Sequence, residues 1–285
     1  MLDALVDVIP LADVIPLAIV AATPLLLAVQ GELVVQRSGI INLGIEGMML
    51  VAAMTAVLAA QTFKSALLGF AGGVGGALLI AIVFGVFVIA LKTDQIVTGT
   101  AINFLAIGAT GFVYRELQQG AILVQAVPRP SVDYVLPLAW IVIPIVLALF
   151  LWNTTLGLRL RASGENPEAV GHVARYRAIA LMIEALLAGI GGAYLALVLS
   201  SGFAENMTAG RGFIALAIVI FGRWKLKGAL LGTAIFGLAA ALQYALQASA
   251  RGVPYHLLLA VPYLVTLLIL CGVAGKVRAP ESLGR

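Results

Sequence analysis

Charge is scarce in this chain: Asp, Glu, Lys and Arg make up 11% of its 285 residues, against roughly a quarter in an ordinary soluble domain. Cysteine is nearly absent. The single Cys271, set in an apolar run, excludes an internal disulfide and any cysteine-built metal site, and reads as a buried structural thiol. The two histidines, His172 and His256, offer no paired imidazoles at metal spacing. No Gly-x-Ser-x-Gly elbow and no Gly-rich Walker loop is present, so neither a hydrolase nucleophile nor an ATP site is expected and the chain does not read as an enzyme. A basic leader is missing too. The N-terminus opens with Asp3, Asp7 and Asp13, and no cleavable signal peptide is visible.

What is present is apolar. The chain is 62% hydrophobic, with a mean hydropathy of +1.10, more than a soluble fold can hide. Repeated uncharged runs reach the roughly 20 residues that cross a hydrocarbon core about 30 Å thick. The expected fold is therefore all-α, a polytopic membrane helical bundle forming one transmembrane domain over 1–285, with lipid as its solvent. Nine spans are expected near 14–35, 39–60, 66–91, 96–115, 134–152, 177–200, 211–222, 228–248 and 256–274. Phe213–Gly222 is short for a crossing and reads as a partial or broken helix. The 31 glycines suit close helix packing in a bilayer.

The pI near 9.4 does not indicate nucleic acid, because the basic residues are scattered between apolar spans without aromatic interleaving. The positive-inside rule accounts for them. If the basic segment 157–177 is cytoplasmic, the 17 Lys and Arg residues divide twelve to five. Arg37, Lys92, Arg223, Lys225, Lys227, Lys276, Arg278 and Arg285 fall inside with the segment's own four arginines. Lys64, Arg115, Arg129, Arg211 and Arg251 fall outside. This topology puts the N-terminus out and the C-terminus in the cytoplasm, in a cell (inner or plasma) membrane. Arg37-Ser38-Gly39-Ile40-Ile41 and Arg211-Gly212-Phe213-Ile214 then lie on opposite faces, as an inverted repeat would place them.

Polar side chains inside spans are expensive and mark a pathway or a helix contact. The densest stretch runs from Gln30-Gly31-Glu32 through Gln36-Arg37-Ser38-Gly39 to Asn42, Gly44, Glu46 and Gly47. Asn42 and Glu46, four apart, share a face if helical. Either this helix lines a solute path, or Glu46 sits at a helix start and pairs with a loop cation. Asp94 and Gln95 read as the cap of the fourth span. Thr98 is a pathway candidate that can also satisfy itself on its own backbone, as can Thr100. Asn103 cannot do so easily and is the better candidate for a solute or interhelix hydrogen bond. Glu184, about two turns beyond Arg177, faces protein or water, with Arg177 as its expected partner. Gln243, Tyr244 and Gln247 form one stripe of the eighth span.

The loop 154–176 carries arginines on both sides, Arg161 among them. From Gly164 and Glu165 it turns, then offers Asn166 as a cap, Pro167 at the first helical position and Glu168 in the first turn, ending at Gly171. A short surface helix is expected, either a knob that fits a groove on a soluble motor or an ordinary solvated loop.

The block Gly31-Glu32-Leu33 with Gln36-Arg37-Ser38-Gly39-Ile40-Ile41-Asn42-Leu43-Gly44-Ile45-Glu46-Gly47-Met48-Met49 resembles the signature of permeases in the branched-chain amino acid and ribose-type class of ABC importers. It is closest to the shorter permease of nucleoside and simple-sugar systems; many members carry Glu where this chain has Gln36. Three further blocks match in order: Gln95 to Asn103, Gly157 to Pro167 and Gly210 to Ala217. The resemblance implies a fold like that of type II ABC importers. It implies a heterodimer with a longer second permease, an ABC ATPase with two nucleotide-binding domains that binds ATP and Mg, and an extracytoplasmic substrate-binding protein. No cofactor is then expected on this chain, and Gly164 to Gly171 becomes the coupling helix. Nucleosides are the first substrate class implied, with simple sugars and then branched-chain amino acids behind. A self-sufficient secondary transporter, prompted by the inverted repeat and by buried Glu46 and Glu184, is the competing reading.

Overall fold

The computed structural model describes residues 11–119, 132–200, 202–249, 264 and 279–284. Apart from Leu264, the expected ninth span 256–274, with Cys271 and His256, lies outside the described residues. So do Arg129, Arg251, Lys276, Arg278 and Arg285, and the side chains of Tyr244 and Gln247.

Uninterrupted apolar sequence gives helices throughout, because in lipid only a helix or a closed barrel satisfies every backbone group from within. The elements are α1 (Leu11–Arg37), α2 (Ile45–Phe63), α3 (Ala66–Gly85) and α4 (Gln95–Gln119). Next come α5 (Val132–Pro137), α6 (Ile143–Asn153) and α7 (Thr155–Glu165). The last are α8 (Val173–Tyr194), α9 (Arg211–Phe221) and α10 (Leu226–Ser249). Wide π-helical turns extend α3 over Val86–Ala90, join α5 to α6 over Leu138–Val142 and extend α8 over Leu195–Leu199. Among the described residues, seven helices are long and apolar enough to cross a membrane. The seventh expected element, α9, has only 11 residues, too few for a full crossing.

Three helices form the core. In the most apolar stretch of each, 67% of α1, 67% of α2 and 72% of α8 is buried, against 22% of the span that contains α6. α1 is the axis, packed on α8, α9 and α10, while α2 packs on α3, α4 and α8. The α2–α3 hairpin turns at Lys64, which is left-handed at φ 50°. Glycines let these helices touch: a Cβ at Gly73 would lie 2.9 Å from Ala193 Cβ and 3.1 Å from the Ala52 carbonyl. Outward faces of α4 and α6 carry exposed Phe104, Leu105, Phe112, Ile145 and Leu149, the surface expected against lipid tails or another membrane subunit.

The expected coupling loop takes a different shape. Residues 155–165 continue as a regular helix, so Gly164 and Glu165 end α7 and do not form a turn. Beyond them lies a three-residue 3-10 turn, Pro167–Ala169, and Asn166 makes no side-chain cap there. Val170 is already extended, and His172 is left-handed at φ 63°, which stops a longer helix before α8.

Candidate functional site

The first feature is a break. α1 stops at Arg37 and α2 starts at Ile45, leaving a non-helical connection whose polar backbone must be satisfied by other groups. Gly39 takes φ +96°, a conformation open to glycine. The Ser38 carbonyl accepts from Ser163 Oγ at 3.2 Å and Arg177 Nε at 3.3 Å. Ile41 N–H donates to Gln95 Oε1 at 2.7 Å, and Asn103 Nδ2 donates to the Leu43 carbonyl at 2.8 Å. Gly44 N–H donates to Asn42 Oδ1 at 2.9 Å. Asn42 therefore lies in the connection and shares no helical face with Glu46, because α2 begins three residues after it.

From Asn42 a buried polar chain runs back along α1. Asn42 Nδ2 donates to Glu184 Oε2 at 2.7 Å, and Glu184 packs on α1 against Gly31, the residue before Glu32. Gln36 Nε2 donates to Glu32 Oε1 at 2.8 Å, and Trp224 Nε1 donates to Gln36 Oε1 at 2.6 Å. Glu32, Asn42 and Glu184 are wholly buried. The expected Glu184–Arg177 pair is replaced by these contacts. Seven residues of helix put the two groups roughly 10 Å apart along α8, and Arg177 sits at the level of Ser38, whose carbonyl takes its guanidinium.

The second feature is a half-helix. α9 starts after Gly210, itself left-handed at φ +83°, and its first amides point at Glu46. Gly210 N–H donates to Glu46 Oε1 at 2.8 Å and Gly212 N–H to Glu46 Oε2 at 2.6 Å. A carboxylate at a helix N-terminus satisfies orphan amides and meets the positive end of the helix dipole. Glu46 thus caps α9 and does not pair with a loop cation. Gly212 allows the approach, since a Cβ there would lie 2.6 Å from the Glu46 nitrogen. Asn103 clamps the same region, accepting from Gly47 N–H at 2.8 Å while donating to Leu43. Thr98 stays on its own helix, donating to the Asp94 carbonyl at 2.7 Å with Thr93 Oγ1 2.9 Å away. Asp94 caps α4 through the amides of Ile96 and Val97, both at 2.9 Å, whereas Gln95 is drawn off to Ile41.

The start of α9 thus meets the break at Glu46, while Asn42 and Asn103 brace the connection itself. Arg37 closes α1 and Arg211 opens α9, so the two short Arg-Gly blocks do not occupy matching helix positions.

The third feature is the turn after α7. Arg161 stacks 5.6 Å over the Trp152 ring. Gly164 is buried, and a Cβ there would collide with the Arg37 carbonyl. Glu165 lies 3.6 Å from Arg37 Nη1. Glu165, Asn166, Glu168 and Gly171 are exposed, with Pro167 half-buried. A cleft of about 630 Å³ beside them is lined by Glu165, Glu168, Arg177, Glu281 and Ser282 among others. Sequence reasoning passed over Glu32, Gln36 and Trp224 as site residues. The four-residue spacing of Glu32 and Gln36 inside a span was the available signal; the tryptophan, nearly two hundred residues on, gave none.

Helices broken inside an apolar bundle, their free ends joined by buried carboxyl and amide side chains, define a membrane transport protein. The chain belongs to the branched-chain amino acid transport system / permease component family, whose model matches residues 14–270. It is a multi-pass membrane subunit of an ABC importer. It is 33% identical over 299 residues to the guanosine ABC transporter permease protein NupQ of Bacillus subtilis, covering 92% of each chain. The nucleoside ABC transporter permease protein NupC of Lactococcus lactis is 32% identical, again over 92% of each chain. A putative glucose ABC transporter permease protein, TsgC13 of Haloferax volcanii, is 35% identical over 78% of this chain and 74% of its own. No solved structure matches the chain.

Proposed function

We propose that this chain forms half of the translocation pathway of an ATP-driven nucleoside importer. The observation that carries the substrate class is the full-length similarity, at 32–33% identity, to permeases named for guanosine and nucleosides. The other half is a second, longer permease. ATP and Mg bind a partner ABC ATPase with two nucleotide-binding domains, and an extracytoplasmic binding protein delivers the solute. The N-terminus is outside and the C-terminus cytoplasmic. Arg37, Arg161, Arg175, Arg177, Arg223 and Lys225 cluster at one end of the bundle, as the positive-inside rule asks of a cytoplasmic face; there Arg37 meets Glu165 and the Trp224 carbonyl.

Asn42, Glu46, Asn103 and Glu184 brace the two broken segments that border the pathway, and Thr98 packs beside them. The exposed turn Glu165–Gly171 is the element that the ATPase engages, Glu165 and Glu168 offering carboxylates to a basic groove. Reconstitution of the complete importer with radiolabelled guanosine tests the reading. ATP-dependent uptake competed by other nucleosides and not by glucose is expected; competition by glucose alone would move the assignment to simple sugars, the reading that the Haloferax relative favours.

A further inference from the structure

We infer that residues 279–284 form a strap that ties the end of α7 to the break between α1 and α2, so that movement at the ATPase-facing turn is carried to Asn42. Ser282 is its fastening. The Ser282 N–H donates to the Gly164 carbonyl at 2.9 Å, and its hydroxyl lies 2.8 Å from that carbonyl and 3.1 Å from the Ser163 carbonyl. Arg177 Nη2 reaches the same hydroxyl at 3.5 Å while its Nε holds the Ser38 carbonyl. Two residues on, Gly284 N–H donates to the Gly39 carbonyl at 3.0 Å.

Both anchor points are glycines in near contact. A Cβ on Gly39 would lie 2.7 Å from Ser282 Oγ and 3.3 Å from Gly164 Cα. The strap therefore covers a seam where α7 and the connection touch backbone to backbone, with no side chain between them to slip. Ser282 is buried and Leu283 packs against the core. Such a seam moves as one piece. The piece includes Asn42, three residues beyond Gly39, whose amide holds Glu184. The strap's hydrogen bonds reach Gly164, Ser163 and Gly39, which makes Ser282 a positioning residue that acts through Gly39 and Asn42.

The inference rests on the proposal that the turn after α7 meets the ATPase. Its test uses the whole importer in nanodiscs and proteoliposomes, with Ser282→Ala, Ser282→Thr and two readouts: amide hydrogen exchange over residues 38–44, and guanosine taken up per ATP hydrolysed. Loss of one hydrogen bond corresponds to about a fivefold effect. Ser282→Ala is expected to speed exchange by about that factor and lower uptake per ATP to match, with Ser282→Thr restoring both. Unchanged exchange overturns the strap, and so does faster exchange with unaltered uptake per ATP, since the contact would then be a fastener only. Should Ser282→Ala not assemble, Ser282→Cys keeps the volume, weakens the hydroxyl contacts and gives the same two readouts. If Glu168→Lys leaves ATPase association untouched, the docking assignment fails; the exchange result judges the strap separately.

Discussion

Single side chains here do the work that backbone ladders do elsewhere. Glu46 supplies both acceptors for the first amides of α9, so Glu46→Ala leaves two inward-facing N–H groups unmatched, each worth about 1–3 kcal/mol. Thermal unfolding in detergent is expected to fall by several degrees for Glu46→Ala and by less for Glu46→Gln, which retains one acceptor; equal melting of Ala and wild type would remove the cap. Asn103→Leu withdraws the acceptor for Gly47 and the donor for Leu43 together. Uptake should drop about tenfold or more while the complex still co-purifies, and unchanged uptake would detach Asn103 from the pathway. That Glu46 and Asn103 would need partners was legible in the sequence, because a carboxylate and an amide inside apolar spans demand them. Their partners were not legible. Glu46 meets Gly210 and Gly212, and Asn42 meets Glu184, across separations of well over a hundred residues. Nothing local distinguishes a backbone amide at a helix start from a loop cation as the group that satisfies a carboxylate.

At the level of elements, hydropathy located eight of the nine expected segments near their structural counterparts, since a run of about 20 apolar residues has few alternatives in lipid. The errors lie where a helix ends for reasons other than polarity. α2 starts at Ile45, six residues later than its apolar run, because Gly39 turns left-handed and Asn42 folds onto Gly44. α7 runs through Gly164, which reads as a turn residue and is in fact the site of backbone contact with Arg37 and Gly39. Glycines therefore separate into two kinds, and a paired substitution tests the difference. A Cβ at Gly73 meets Ala193 and Ala52, whereas at Gly75, on the same helix, nothing lies within 4 Å. Gly73→Leu is expected to destabilise the folded subunit by about 1–3 kcal/mol through overpacking. Gly75→Leu should melt like the parent protein. Equal losses for the two would mean that the α2–α3–α8 contact does not govern these positions, since a Gly→Leu change by itself favours the helix.

For the molecule as a whole, the deciding question is which end of the bundle the motor grips. One end gathers Arg37, α7, the start of α8, Trp224 and residues 279–284 into a continuous hydrogen-bonded surface, with Glu165 and Glu168 exposed beside a cleft that also holds Glu281. Charges at an interface rim act mainly through association rate and salt dependence. Glu168→Lys is thus expected to weaken ATPase co-purification and to steepen its sensitivity to salt, without affecting membrane insertion. Glu165→Lys should be worse, because it also places a cation beside Arg37. Topology can be measured in the same position. With Cys271 replaced by Ser, a Glu168→Cys variant should react with a membrane-impermeant maleimide in inside-out vesicles and not in right-side-out ones, and bound ATPase should shield it. Labelling from the periplasmic side would turn the bundle over. The Arg37–Glu165–Gly164 surface would then face the binding protein, and the force that shifts Asn42 would have to enter the membrane from the opposite end.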